Sequence, residues 1–255
     1  MIEAAIIAHG QPGNPAPLQA DLEALAAQVQ ALLPEARVIG ATLACPCSLN
    51  RAQGAQVVYP LFMAGGWFTR SELPRRLHAA GAADWVQLAP LGQDDALPAI
   101  GRRLALEQAA KAGIRPAKAR LIVAGHGSSK SDLSATATRA FADQIAAFGD
   151  FARVETGFLE QAPWLSEVLD DPQHRPQPAI CLPFFATAAS HASDDIPELV
   201  MQAQARIALC PPVGTNAEVP ALIAAALRDA LTDLTPVARS QGKTAQEQLC
   251  RCKAS

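Results

Sequence analysis

The sequence lacks the features of a membrane protein, a secreted protein or a nucleic-acid-binding protein. No apolar run reaches the roughly 18 residues that a membrane span needs, and the first residues lack the basic start and apolar stretch of a signal peptide. Lysine and arginine number 21 against 24 acidic residues, so no global positive charge indicates nucleic acid. We therefore expect a cytoplasmic protein whose partners include neither a membrane nor a nucleic acid.

Cysteine is also scarce for a chain of this length. Six cysteines in 255 residues are too few for a disulfide scaffold, and in the cytoplasm they should be reduced. Cys181 and Cys210 lie in apolar segments and are expected to fill the core. Two pairs of cysteines lie close together in the sequence and could bind a soft metal through their thiols. They are Cys45 with Cys47, and Cys250 with Cys252.

What the sequence does contain is a regular alternation of short apolar segments and amphipathic ones. Segments 4–8 and 121–125 are almost entirely apolar, as buried strands are, and His-Gly directly follows each. The segments between the strands have apolar residues at helical spacing. This alternation predicts an α/β fold, in which parallel strands form a sheet and helices cover its faces.

The same unit occurs twice along the chain, at a separation of about 120 residues. The spacing from Pro60 to Pro74 recurs from Pro183 to Pro197, and the surrounding residues match. A duplication of this length predicts two similar lobes, each a small parallel β-sheet flanked by helices, with a cleft between them. Three segments follow: an N-terminal lobe at 1–112, a C-terminal lobe at 113–235 and a polar tail at 236–255.

Two helix starts are predicted from capping residues. Asp194 or Asp195 is expected to cap the helix that carries Pro197 in its first turn. The last helix is expected to begin at Thr215, because Glu218 follows it at the spacing of a capping box.

Aligning the two copies places three polar side chains beyond the strand ends of the second copy. The aligned positions are His126 with His9, Glu160 with Ala44, and His191 with Phe68. The carboxyl ends of parallel strands are where open α/β sheets bind ligands, so the three residues of the second copy can meet in one site. The first copy lacks two of these three residues. This difference between the copies favours a functional role for His126, Glu160 and His191 over a role in packing.

Two imidazoles and one carboxylate admit three chemistries. They can bind a divalent metal such as Co²⁺, Fe²⁺, Ni²⁺ or Zn²⁺, act as general acid and base, or transfer a phosphoryl group through histidine. Arginines usually accompany the last chemistry, whereas Gly127 and Ser128 follow His126. The spacing matches no zinc motif, so a site that holds a metal briefly is favoured over a permanent one.

The motifs around these residues resemble a known family. They are His126-Gly-Ser, Phe-Leu-Glu160, and His191-x-x-Asp-x-Ile-Pro. Together they resemble the ATP-independent tetrapyrrole chelatases, and in particular the CbiX-type sirohydrochlorin cobaltochelatases and ferrochelatases. The resemblance extends over roughly residues 1–232 and is stronger in the second copy.

The resemblance implies a lyase-type chelatase that inserts Co²⁺ or Fe²⁺ into a sirohydrochlorin or precorrin-type tetrapyrrole, in siroheme or cobalamin biosynthesis. The metal is then a substrate, and no nucleotide takes part. The metal-binding and proton-accepting residues are then His126, Glu160 and His191. The implied contacts to the tetrapyrrole come from Ser128, Ser129 and Thr187.

An alternative is a binding or carrier protein that keeps the chelatase fold without catalysis, since one copy of the site is degenerate. A hydrolase using His126 is a weaker candidate, because no nucleophile motif accompanies it. The choice between Co²⁺, Fe²⁺ and Ni²⁺, and self-association of the chain, stay open.

Further residues of the first copy have two interpretations each. Trp67 and Phe68 can offer a flat apolar face to a macrocycle or pack in the core. Arg70, Arg75 and Arg76 can meet substrate carboxylates or remain solvated. His9 is interpreted as a structural relic, because its two partners are missing from the first copy.

Overall fold

The computed structural model describes residues 2–188 and 191–234, and it leaves the side chain of His191 undescribed. The predicted tail at 236–255, with Cys250 and Cys252, lies outside the described residues. None of the helices in the described part of the chain combines the length and the hydropathy that a membrane crossing requires.

Two four-stranded sheets, parallel throughout, form the framework of the fold. The first, in the order β2-β1-β3-β4, contains β1 (Ile2–Ala8), β2 (Ala36–Thr42), β3 (Val57–Pro60) and β4 (Val86–Gln87). The second, in the order β6-β5-β7-β8, contains β5 (Arg120–Gly125), β6 (Arg153–Phe158), β7 (Ala179–Pro183) and β8 (Ile207–Leu209). The predicted α/β class with two similar parallel sheets is confirmed.

Helices follow the strands as the alternation predicted. They are α1 (Pro15–Leu32), α2 (Pro46–Arg51), α3 (Leu73–Ala79), α4 (Leu97–Lys111), α5 (Leu133–Ala146), α6 (Leu165–Leu169), α7 (Ile196–Gln202) and α8 (Val219–Asp233). The short helices α2 and α6 were not predicted, because five or six residues are too few for a helical period to stand out. The central strands β5 and β7 are buried throughout, as expected where helices cover both faces of a parallel sheet.

The chain folds into two compact units that do not follow the order of the two copies. One unit contains the described residues of Met1–Leu61, Trp67–Ala89 and Pro220–Ser255. The other contains Phe62–Gly66 and Pro90–Val219. The predicted lobes, divided between 112 and 113, describe the two copies in the sequence. They remain a prediction, because each compact unit includes residues from both copies.

The last helix of each copy accounts for this difference. Helix α4 comes from the first copy but packs against β7, β8 and α5 in the second unit. Helix α8 comes from the second copy and belongs to the first unit, where Arg228 donates a hydrogen bond to the Leu32 carbonyl and pairs with Glu35 at 3.2 Å. The two copies have thus exchanged their last helices.

The helix that carries Pro197 does not begin with a capping side chain. A π-helical turn at His191–Asp195 leads directly into α7. Asp194 lies within this turn, and Asp195 has a helical backbone (φ −67°, ψ −46°) and makes no side-chain capping hydrogen bond. The predicted cap is therefore wrong, because the chain is already helical before α7 begins.

The predicted start of the last helix is also wrong. Thr215 ends a 3₁₀ turn at Val213–Thr215, and its hydroxyl donates to the Pro212 carbonyl at 2.8 Å. Helix α8 begins only at Val219. The backbone N–H of Glu218 donates instead to the Asn216 side chain at 2.9 Å, which supplies the local bond that the capping box would have made.

In the first unit, Glu72 is buried between two arginines. Its carboxylate accepts hydrogen bonds from Arg75 at 2.7 and 2.9 Å and from Arg76 at 2.8 Å. The hydrogen bonds from Arg75 and then Arg76 lower the pKa of Glu72 to about 2. These two arginines are therefore engaged within the fold.

Replacing Glu72 by Gln is expected to change how stability depends on pH. Because the pKa of Glu72 falls from 4.5 to about 2 on folding, its ion pairs stabilise the protein above pH 4.5. This contribution is lost as the pH falls from 4.5 towards 2. We expect Glu72→Gln to lower the free energy of unfolding at neutral pH and to converge with wild type in acid, as measured by urea denaturation across a pH series.

The matched control for this prediction is Glu107→Gln. Glu107 is an exposed carboxylate on α4, so its replacement should shift the pH dependence little. A difference between Glu72→Gln and wild type that stays constant from neutral pH to acid would contradict the role given to Glu72.

Candidate functional site

His126 and Glu160 lie side by side at the carboxyl edge of the second sheet. His126 directly follows β5, and Glu160 lies two residues beyond β6. The backbone N–H of Glu160 donates to the His126 carbonyl at 2.9 Å, which extends the pairing of β5 and β6 past their ends. The His126 Nδ1 and a Glu160 carboxylate oxygen are 3.7 Å apart, and the two side chains are 38% and 50% exposed.

The hydrogen bonding of His126 indicates which ring nitrogen can act as a ligand. Its Nδ1 lies 3.0 Å from the carbonyl oxygen of Gly127. Because a carbonyl oxygen only accepts hydrogen bonds, Nδ1 carries the proton in this contact. In the neutral ring, Nε2 then keeps its lone pair and is the atom that can bind a metal or accept a proton.

Gly127 and Gln161 fix the turn that presents His126. Gly127 has φ +73°, and an added Cβ would lie 2.8 Å from the Gln161 side chain and 3.0 Å from Phe158. The Gln161 side-chain oxygen accepts a hydrogen bond from the Ser128 backbone at 2.8 Å. Gln161 was not identified from the sequence, where its position next to Glu160 was the one available signal.

The other residues expected to contact substrate lie in the loops after β5 and β7. Ser128 is half-buried, and its hydroxyl accepts a hydrogen bond from the Lys130 backbone at 3.1 Å. Ser129 is exposed and Thr187 is half-buried. Their role towards a ligand stays a prediction.

The backbone at His191 lies beyond the carboxyl end of β7, the strand next to β5. The connecting loop is held by a hydrogen bond of 2.9 Å from the Gly214 N–H to the Phe185 carbonyl, and the Phe185 ring lies 6.4 Å from the His126 ring. The structure therefore brings His126 and Glu160 together, whereas the His191 side chain lies outside the described residues. Among the side chains that are described, no three His, Cys, Asp or Glu residues cluster closely enough to hold a metal ion.

A pocket of about 390 Å³ adjoins Glu160 in the second unit. It is lined by Leu159, Glu160, Asp195, Glu198, Leu199 and Gln202. Three of these residues carry carboxylates, and clustered carboxylates give a pocket a negative potential that favours cations.

The first unit has the same backbone arrangement with different side chains. The Ala44 N–H donates to the His9 carbonyl at 3.1 Å, as Glu160 does to His126. A π-helical turn begins at Phe68, as one begins at His191. The alignment of the two copies is therefore confirmed, and in the first unit an alanine and a phenylalanine occupy the positions of the carboxylate and the second imidazole.

The described cysteines do not contribute to this site. Cys181 and Cys210 are buried as predicted, and burial raises the pKa of both thiols, that of Cys210 to about 12. Near the first-unit site, Cys45 is buried and Cys47 is exposed. This difference in exposure disfavours Cys45 and Cys47 as a pair of metal ligands.

Known proteins are similar to this chain in sequence and in fold. The model of the CbiX family matches residues 120–230, which include both His126 and Glu160. A solved structure of CbiX, described as the terminal enzyme for siroheme biosynthesis in denitrifying bacteria, is 47% identical with a TM-score of 0.81. The match covers 89% of this chain and 99% of that one. This chain belongs to the CbiX family.

Two further proteins are similar to this chain over part of its sequence or in its fold. A probable sirohydrochlorin cobaltochelatase of Halobacterium salinarum is 27% identical over 163 residues, which are 55% of each chain. The chain thus matches about half the length of that relative. SirB from Bacillus subtilis, solved with Fe³⁺, is 16% identical with a TM-score of 0.68 over 92% of this chain and 98% of its own, which shows a common fold.

Proposed function

We propose that this CbiX-family protein is a metal chelatase that inserts Co²⁺ or Fe²⁺ into sirohydrochlorin or a closely related tetrapyrrole, in siroheme or cobalamin biosynthesis. The supporting observation is the pair formed by His126 and Glu160, 3.7 Å apart at the edge of the second sheet. The 47% identity to CbiX of siroheme biosynthesis agrees with this substrate.

In the proposed reaction, His126 and Glu160 hold the incoming metal ion. The Nε2 lone pair of His126 and the carboxylate of Glu160 suit a borderline divalent ion. Both side chains are partly exposed, so the ion can arrive from water and leave for the macrocycle. His191 is proposed as the third ligand.

Insertion also requires a base. Two pyrrole N–H protons must leave as four ring nitrogens replace the protein and water ligands of the metal. Glu160 is the proposed acceptor of the first proton, and the imidazole of His126 can accept the second once it has released the metal. Because one divalent cation replaces two protons and no electron moves, the proposed reaction needs no oxidant or reductant. We also propose that it needs no nucleotide, as the resemblance to the ATP-independent chelatases implies.

We also propose that the protein works in the cytoplasm, with the tetrapyrrole and the metal as its small-molecule partners. The cysteines that the structure describes are thiols rather than disulfides, as a reducing compartment favours.

Replacing Glu160 by Gln tests the proposed function. The amide keeps the size of the side chain but removes its charge and its ability to accept a proton. We expect the rate of Co²⁺ insertion into sirohydrochlorin to fall about 100-fold. The rate is measured anaerobically by absorbance spectroscopy with the full chain.

Glu167→Gln is the matched control, because Glu167 is an exposed carboxylate on α6 in the same unit. Insertion at the wild-type rate by Glu160→Gln would overturn the role of Glu160. If the wild-type protein binds the tetrapyrrole but metal enters no faster than in buffer, the protein is a carrier and not a chelatase.

A further inference from the structure

The first unit presents an aromatic surface at the position that corresponds to the metal site of the second unit. Trp67 and Phe68 are 61% and 39% exposed. The Phe68 ring contacts His9 edge to face at 4.3 Å and Trp67 at 5.0 Å between centroids. We call His9, Trp67 and Phe68 the aromatic platform.

Packing does not account for the aromatic platform. Of the two interpretations of Trp67 drawn from the sequence, burial in the core is wrong, because most of its surface is accessible. Two adjacent aromatic side chains at a protein surface leave in water apolar area that folding would otherwise bury. Adjacent exposed aromatic side chains are therefore candidates for contact with a ligand.

Metal binding does not account for the aromatic platform either. Ala44 and Phe68 replace the carboxylate and the second imidazole, so one imidazole remains. The Nδ1 of His9 contacts the Gly10 carbonyl at 2.6 Å, and the His9 ring packs against Phe68. A flat apolar ring is the kind of ligand that these side chains can contact face to face or edge to face.

A cationic residue lies close in the chain to the aromatic platform. Arg70 is exposed, two residues after Phe68 in the same π-helical turn. Arg75 and Arg76 pair with Glu72, whereas Arg70 has no carboxylate partner among the described residues. A guanidinium beside an aromatic surface complements a flat ring that carries carboxylates at its rim.

We propose that the aromatic platform and Arg70 bind the tetrapyrrole, with the aromatic side chains against its face and the guanidinium on a peripheral carboxylate. This inference rests on the proposed function and adds a division of labour to it. The second copy of the site kept the metal ligands. The first copy exchanged them for groups that bind the macrocycle.

The test is a titration of the full chain with metal-free sirohydrochlorin, followed by absorbance. Trp67→Leu keeps an apolar side chain but removes the flat ring, and it should raise the Kd for the tetrapyrrole about tenfold. Arg70→Gln should raise the Kd about fivefold at low salt and less at high salt. In steady-state insertion, Trp67→Leu should raise the KM for the tetrapyrrole and leave the KM for Co²⁺ and kcat within about twofold.

Matched controls come from elsewhere in the chain. Phe148 is a 51% exposed aromatic residue after α5, and Arg115 is an exposed arginine with no carboxylate partner in the described part of the chain. Phe148→Leu and Arg115→Gln should bind the tetrapyrrole within about twofold of wild type. Thermal unfolding of each variant checks that the fold is intact.

Three results would overturn the inference. If Trp67→Leu and Arg70→Gln bind the ring as wild type does while insertion continues, the aromatic platform has no role and the chelatase assignment stands. If wild type does not bind the ring, both proposals fail. If Trp67→Leu changes the molecular mass in solution but not ring binding, the aromatic platform is a surface between copies of this chain.

Discussion

Replacing His126 by Ala is expected to reduce the rate of Co²⁺ insertion into sirohydrochlorin by about 100-fold or more. The substitution removes the imidazole whose Nδ1 contacts the Gly127 carbonyl and whose Nε2 is the proposed metal ligand. It also removes the partner that lies 3.7 Å from Glu160. Binding of Co²⁺ to the protein without tetrapyrrole, measured by calorimetry, should weaken in parallel.

Two other histidines serve as comparisons for His126. His78 contacts Trp85 at 4.8 Å between ring centroids in the first unit, and His78→Ala should leave the insertion rate unchanged. His9→Ala should leave Co²⁺ binding unchanged, because Ala44 and Phe68 offer no further ligands beside it. Equal loss of Co²⁺ binding in His9→Ala and His126→Ala would mean that the first copy also holds the metal.

Replacing Gly214 by Ala is expected to destabilise the second unit by about 3 kcal/mol, or roughly 6–12 °C in Tm. An added Cβ would collide with the backbone of Ala186, whose Cα would be 2.5 Å away. Backbone atoms cannot move aside as the end of a side chain can. The loop after β7 would have to shift, and the hydrogen bond from the Gly214 N–H to the Phe185 carbonyl would be strained.

Gly13→Ala is the matched control for Gly214→Ala. No atom lies within 4 Å of the Cβ position at Gly13, so the Tm should change by no more than about 2 °C. Because the shifted loop leads to His191, Gly214→Ala should also slow metal insertion at a temperature where the variant is folded. A Tm equal to that of wild type would contradict this prediction, because it would mean that the loop can shift without loss of stability.

The sequence predicted the duplication and the pairing of its positions, because both depend on local spacing. Counting from shared prolines aligned Phe68 with His191, and each of these residues begins a π-helical turn. Counting from a shared Arg-Val pair at 37–38 and 153–154 aligned Ala44 with Glu160, and each donates the same backbone hydrogen bond. When the backbone fold repeats, residues at the same number of positions from a strand end occupy equivalent places in the two units.

The features that the sequence did not predict depend on residues far apart in the chain. The periodicity of α4 predicts an apolar face with Ile100 and Leu104, but not which sheet this face covers. Likewise, the sequence allowed Arg75 to bind substrate or solvent, and the fold directs it to Glu72. Thr215 failed as a helix start because it ends a 3₁₀ turn and three further residues precede α8. The capping motif does not distinguish such a turn from the start of an α-helix.

The exchange of α4 and α8 makes the two halves of the chain inseparable. A fragment that ends at 112 would lack the helix belonging to its own unit and would carry α4, whose apolar face would have no sheet to cover. Two copies of such a half-length chain could each supply the last helix of the other, as in a domain-swapped dimer. Tandem fusion of that dimer yields the present topology. Once fused, each half could mutate alone, which a symmetric dimer of identical chains does not permit. One half has Ala44 and Phe68 where the other has Glu160 and His191, and such a difference between the halves requires a single fused chain.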